Sequence, residues 1–193
     1  MGEERWFYRS EEEWIAIAKR LKQTPCPHCM AVGTLIRHGL LLGFDESNAQ
    51  RKTVRARRIF CSNRNLRRGC GRTFSVWLAD KIRRLSLTSR ALWKFLQRAV
   101  AVAGAVAAAI RAADCHLSDR TLQRIWKRFG QGQSAIRTAL FGRCPPPESP
   151  DPPPAEPPRR PKAGQVLAHL QAAFPNADCP IASFQHSMRS FFV

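Results

Sequence analysis

The sequence predicts an α+β fold, and three observations support that prediction. Four cysteines, Cys26, Cys29, Cys61 and Cys70, stand in two groups separated by a long spacer. The stretches around that spacer carry β-branched and apolar residues, whereas residues 85–130 carry apolar side chains at helical spacing. Residues 145–161 hold ten prolines in seventeen positions, which reads as a stiff polyproline-like linker before a last amphipathic stretch. The expected architecture is a small β zinc ribbon, a mostly α helix-turn-helix segment, a Pro-rich linker and a short C-terminal helix.

Taken in order, residues 1–24 read as an aromatic lead (Trp6, Phe7, Tyr8) followed by a short helix. Ser10 and Glu13 fit a capping box. Trp14, Ile15, Ile17, Ala18 and Leu21 recur at helical spacing, and Thr24-Pro25 stops the helix. Residues 25–78 form the ribbon, with strands expected at Thr34–His38, Thr53–Phe60 and Arg72–Trp77 and a polar loop from Gly43 to Lys52. Residues 79–144 form the helical segment. Thr88 or Ser89 caps its first helix, and Gly104 separates that helix from a second, Ala105 to Ala113. Ser118 caps a third, Asp119 to Phe129, which Gly130 and Gly132 are expected to end. After the linker at 145–162, residues 163–193 give an amphipathic helix through Val166, Leu167, Leu170 and Phe174. That piece is too short to hold a core alone, so it packs back on the body or binds a partner.

Charge narrows the function. Residues 25–144 hold 23 Lys+Arg against 5 Asp+Glu, while residues 1–24 and 145–193 are each neutral, so the whole +18 excess lies on the cysteine and helical segments. This favours phosphate backbones as partners. The longest apolar run, Ala99 to Ile110, falls short of the roughly 20 residues that a membrane span needs. No apolar signal core follows Met1, so a cytoplasmic location with reduced cysteines and no membrane partner is expected.

Thiolates are soft ligands that suit Zn²⁺, and four of them close its coordination shell. The expected cofactor is one structural Zn²⁺ on Cys26, Cys29, Cys61 and Cys70, with His28 pointing outward and His38 in reserve as a substitute ligand. A closed shell leaves no position for an activated water.

The string Cys26-Pro27-His28-Cys29, the Arg37-His38-Gly39 strand and the run from Arg57 to Cys61, closing on Cys70-Gly71-Arg72-Thr73-Phe74-Ser75, resemble the zinc ribbon of insertion-sequence transposases and their DNA-binding accessory proteins. The resemblance covers residues 25–78, and 85–130 by order of elements only. It implies a zinc-binding ribbon followed by helix-turn-helix DNA-binding helices. This chain departs from the pattern in two ways: eight residues separate Cys61 and Cys70 where a gap of two is usual, and the loop before that pair is long. The insertion carries Arg64, Arg67 and Arg68, a loop suited to phosphate contacts.

On the third helix, Leu122, Ile125, Trp126 and Phe129 form one apolar face, and Arg120, Gln123, Arg124 and Lys127 the opposite one. A recognition helix presents such side chains in the major groove. Arg120 and Gln123 are expected to read bases, and Arg124, Lys127 and Arg128 to hold phosphates. Lys81, Arg83 and Arg84 bridge the two modules along the backbone.

Enzymatic transposition of the common kind needs three carboxylates around two metal ions. The basic region offers only Asp45, Glu46, Asp80, Asp114 and Asp119, with no Gly-rich phosphate loop. The chain therefore reads as a non-enzymatic duplex-DNA-binding protein, with a catalytic transposase subunit in trans as a further partner. Two alternatives stand beside it. An RNA-binding zinc-ribbon protein would need exposed Trp77, Trp93 and Trp126. An interaction scaffold would dock a partner through its Pro-rich C-terminal part. Deleting 145–193 is expected to leave nucleic-acid binding intact.

Overall fold

The computed structural model describes residues 6–46, 48, 50–64, 66, 68–101, 117–147 and 163–193. They form a mixed α+β structure of β1 (Trp6–Tyr8), α1 (Glu11–Arg20), β2 (Leu35–Phe44), β3 (Lys52–Cys61), β4 (Thr73–Leu78), α2 (Ser89–Ala101), α3 (Asp119–Phe141), α4 (Ala163–Ala173) and α5 (Pro180–Met188). The expected second helix at 105–113 and most of the Pro-rich linker lie outside the described residues, as does Arg67.

The four strands make one sheet in the order β1-β4-β3-β2. β2, β3 and β4 are antiparallel, as short polar connections allow. β1 adds to the far edge parallel to β4, Trp6 opposite Val76 and Tyr8 opposite Leu78. The aromatic lead is thus a strand. Its three residues are too few for a period to show in the sequence. β2 and β3 run longer than expected and leave only residues 45–51 between them.

α1 starts at Ser10, whose hydroxyl accepts from the Glu13 amide at 3.3 Å, while the Glu13 carboxylate accepts from the Arg9 amide at 2.7 Å. This is the capping-box exchange with the second bond moved one residue back. Trp14, buried on α1, meets Tyr8, and Arg57 lies over its ring. α2 starts at Thr88, whose hydroxyl accepts from the Ala91 amide at 3.1 Å.

α3 corrects the expectation that Gly130 and Gly132 end the helix at Phe129. It continues to Phe141. Each glycine costs a helix only about 1 kcal/mol relative to alanine. Phe129, Gln133, Ile136 and Leu140 continue one buried stripe past both, and burying an Ile or Leu side chain returns about 1.5–3 kcal/mol. Ser118 is extended at the N-cap position, but its hydroxyl bonds the Thr121 hydroxyl at 3.0 Å instead of a helix amide.

The C-terminal segment packs back on the body. Val166, Leu170, Ile181, Phe184 and Phe192 are buried with Leu92, Leu96, Leu122, Ile125 and Phe129. Deleting 145–193 would strip this core, so that truncation cannot leave the rest of the molecule intact. The same segment ties the helices to the sheet. Phe191 stacks edge-on against both Phe7 and Trp77. The fully buried Gln185 amide donates to the Ala79 carbonyl at 2.7 Å, and His186 meets Glu13 at 2.6 Å. No described helix is long and apolar enough to cross a membrane.

Candidate metal centre and nucleic-acid interface

The four predicted cysteines converge, their sulfur atoms all within 4.8 Å of one another. The first two sit on a turn in which the Met30 amide donates to the Cys26 carbonyl at 2.9 Å. Cys61 ends β3. The eight-residue insertion closes on itself, the Gly69 amide donating to the Ser62 carbonyl at 3.2 Å. Cys70 returns beside Cys61 despite the unusual spacing. Two glycines make this closure possible. A Cβ on Gly69 would lie 2.2 Å from the Ser62 oxygen, and Gly71 adopts φ +71° just after the last cysteine.

The geometry suits a tetrahedral ion. The Cys26 and Cys70 sulfurs are 3.9 Å apart and those of Cys29 and Cys61 3.7 Å. Thiolates held about 2.3 Å from a central ion span about 3.8 Å along each edge of a tetrahedron. Backbone amides and one hydroxyl point at the sulfurs. His28 N–H reaches Cys26 at 3.4 Å, Cys70 N–H reaches Cys61 at 3.3 Å, and the Thr34 hydroxyl lies 3.2 Å from Cys61. Such donors stabilise thiolate charge. Thr34 was not foreseen, because a threonine at a strand start carries no metal signal by itself.

The thiols differ in acidity. Burial alone would push the pKa of Cys61 up, but Thr34, the Cys70 amide and the neighbouring sulfurs outweigh it and bring the value down to about 7. Burial dominates at Cys26 and pushes its thiol well up. A metal ion entering this cluster must displace the protons that burial retains, so its affinity falls as the solution is acidified. His28 stands edge-on to Phe74 and His38 lies against Phe60 on the exposed part of β2. Neither belongs to the four-sulfur group.

Of the candidate nucleic-acid contacts, Arg120, Gln123, Arg124, Lys127 and Arg128 are all exposed on α3, while Leu122, Ile125 and Phe129 are buried. Trp126 is half-buried against the core. Arg64 and Arg68 are exposed on the loop beside the cysteines. Lys81 is mostly covered, 3.8 Å from Asp80, and must exchange that partner to reach a phosphate. Burial pushes the Asp80 carboxyl above its ordinary range, which Lys81 only partly offsets. Arg83 lies over the Phe191 ring and Arg84 is exposed. The structure also exposes Arg37, Arg58 and Arg72 on the sheet. Arg58 was hidden among four cations in β3, of which Arg55 is buried and donates to the Ile82 carbonyl and Arg57 pairs with Glu11.

Two of the carboxylates in the basic region have structural roles. The Glu46 carboxylate accepts from the Thr88 amide at 2.7 Å and so caps α2, and Asp119 occupies the first turn of α3. No protein-family model, curated protein or solved structure matches the chain.

Proposed function

We propose that the chain is a zinc-dependent DNA-binding protein that recognises duplex DNA, similar in design to the DNA-binding part of insertion-sequence transposases, and that it performs no chemistry of its own. The observation that carries this reading is the division of α3. One side is buried, and the other exposes Arg120, Gln123, Arg124, Lys127 and Arg128 in the segment that holds the entire positive excess. Arg120 and Gln123, at the start of the helix, read base edges. Arg124, Lys127 and Arg128 hold phosphates, as do Arg64, Arg67 and Arg68 on the insertion loop and Arg83 and Arg84 between the modules. Zn²⁺ fits the four-thiolate set by ligand type and by sulfur spacing, and it shapes the ribbon that carries this loop. A transposase catalytic subunit would act in trans.

RNA recognition by stacked bases finds less support. Trp93 is buried and Trp77 meets Phe191. The test is selection of bound sequences from random duplex DNA by zinc-loaded protein, at about 0.2 M salt to suppress pure counterion-release binding. A recovered motif that is relaxed at one position by Arg120→Ala, but unchanged by Arg68→Ala, supports the reading. Binding with no motif would overturn it.

A further inference from the structure

Glycine is the least favourable helix residue after proline, yet Gly130 and Gly132 occupy the middle of α3. Packing does not require Gly132 to be small. A Cβ there would meet only the Ile136 Cδ1, at 3.8 Å. The space beside it is a cleft of about 610 Å³, within the roughly 300–1,000 Å³ of small-molecule sites.

Three arginines line this cleft, Arg83 and Arg84 from the connection before α2 and Arg128 from α3, and no lining side chain is acidic. Phe191, partly exposed, supplies an aromatic side, with Phe192 beneath it buried in the helical core, and Gln131 supplies a side-chain amide. The Arg83 guanidinium lies 5.2 Å from the centre of the Phe191 ring. Arg84 adopts φ +62°, a region costly for any residue with a Cβ. Such strain persists where the fold holds a group in place for use.

We infer that this cleft binds a single nucleotide, its phosphate at Arg84 and Arg128 and its base against Phe191 and the Arg83 guanidinium that lies over that ring. Guanidinium groups match phosphate oxygens in forked pairs. An aromatic wall suits a flat base, and an amide with both a donor and an acceptor suits its edge. The nucleotide is either free in solution or swung out of a bound duplex. The second source rests on the DNA-binding reading, and the first does not.

The zinc-loaded full chain is titrated calorimetrically with adenosine 5′-monophosphate, adenosine and inorganic phosphate. It is also titrated with two duplexes, one fully paired and one carrying a single unpaired adenosine. Two variants keep the test clear of unfolding. Arg84→Gly removes a cation and relieves the positive φ. Gly132→Leu keeps every charge, fills the cleft and favours the helix. Both are expected to melt at or above the parent temperature and to bind the monophosphate at least tenfold more weakly. Adenosine and inorganic phosphate are each expected to bind tenfold more weakly than the monophosphate. A preference for the unpaired duplex that both variants abolish assigns the nucleotide to DNA. Monophosphate binding without that preference assigns it to a free ligand. If duplexes fail to bind while the monophosphate does, the DNA reading falls and the cleft stands. Absent monophosphate binding, or binding unchanged in both variants, overturns the inference.

Discussion

Among the described residues, eight buried side chains form the apolar cluster of the sheet half, two of them the cysteines Cys26 and Cys61, and twenty-one form that of the helical half, drawn from α2, α3, α4, α5 and the segments beside them. The sheet half also leaves Leu40, Leu42 and Phe44 about half exposed on its edge strand, apolar area that stabilises nothing within the described residues. Small cores of this size are seldom self-sufficient and are commonly completed by a metal or a disulfide. The contrast teaches that one chain can hold its two halves by different physics. On the proposed reading thiolate coordination serves the first and area burial the second, with Phe191, Gln185 and His186 joining them.

The largest expected effect comes from Cys61→Ser. Structural zinc sites contribute about 10–16 kcal/mol of apparent binding free energy in small domains, so losing one ligand removes more than the sheet half can supply. Circular dichroism is expected to keep the helical signal at 222 nm while the amides of β2 and β3 lose exchange protection. A concerted loss of both halves would break the comparison. Phe129→Ala is its mirror. It leaves a cavity in the helical core and is expected to cost about 3–5 kcal/mol by denaturant unfolding, with metal content unchanged.

Gln185→Leu attacks the joint. It takes one of two side-chain donors from the Ala79 carbonyl, which keeps the Ser89 hydroxyl, and leaves the buried Phe192 amide without its Gln185 acceptor, at about 1–3 kcal/mol. Denaturant unfolding is expected to separate into two transitions, whereas one sharp transition would show that the halves are joined elsewhere. The smallest effect is electrostatic. Burial alone would raise the Glu13 carboxyl, but the Arg9 amide, then His186 and the Arg9 charge, hold it below its ordinary 4.5. A lowered acid stabilises the fold above its unfolded value, and that contribution is lost as pH falls through the folded one. Relative to Glu13→Gln, the parent is expected to lose at most about 1 kcal/mol between pH 5 and pH 3. An equal acid response in the two proteins would remove Glu13 from the account.

How much of this was legible in the sequence depended on the range of the interaction. Cys26-Pro27-His28-Cys29 and Cys70 announced a four-sulfur cluster because metal ligation restricts residue type as well as spacing, and Ser10 announced a cap because capping is local. The polar face of α3 from Arg120 to Arg128 followed from period alone. Gly130 and Gly132 misled, because a local helix penalty is outweighed by the burial of Ile136 and Leu140, whose partners are distant in the chain. Trp6–Tyr8 gave no strand signal, since its partner β4 lies some seventy residues on. Residues 163–193 could not be assigned to body or partner, because an apolar face does not state what covers it. The cleft beside Gly132 was illegible for the same reason, as it exists only where three separate segments meet.

The most direct test of the central claim, that a metal holds the sheet half alone, is residue-resolved amide exchange on the purified protein before and after chelation, with zinc quantified in the same samples. The account predicts one zinc per chain. It also predicts that chelation collapses protection in β2, β3 and β4 while α2, α3, α4 and α5 keep theirs. A chain that carries no zinc, or one whose sheet amides stay protected once the zinc is gone, would contradict it.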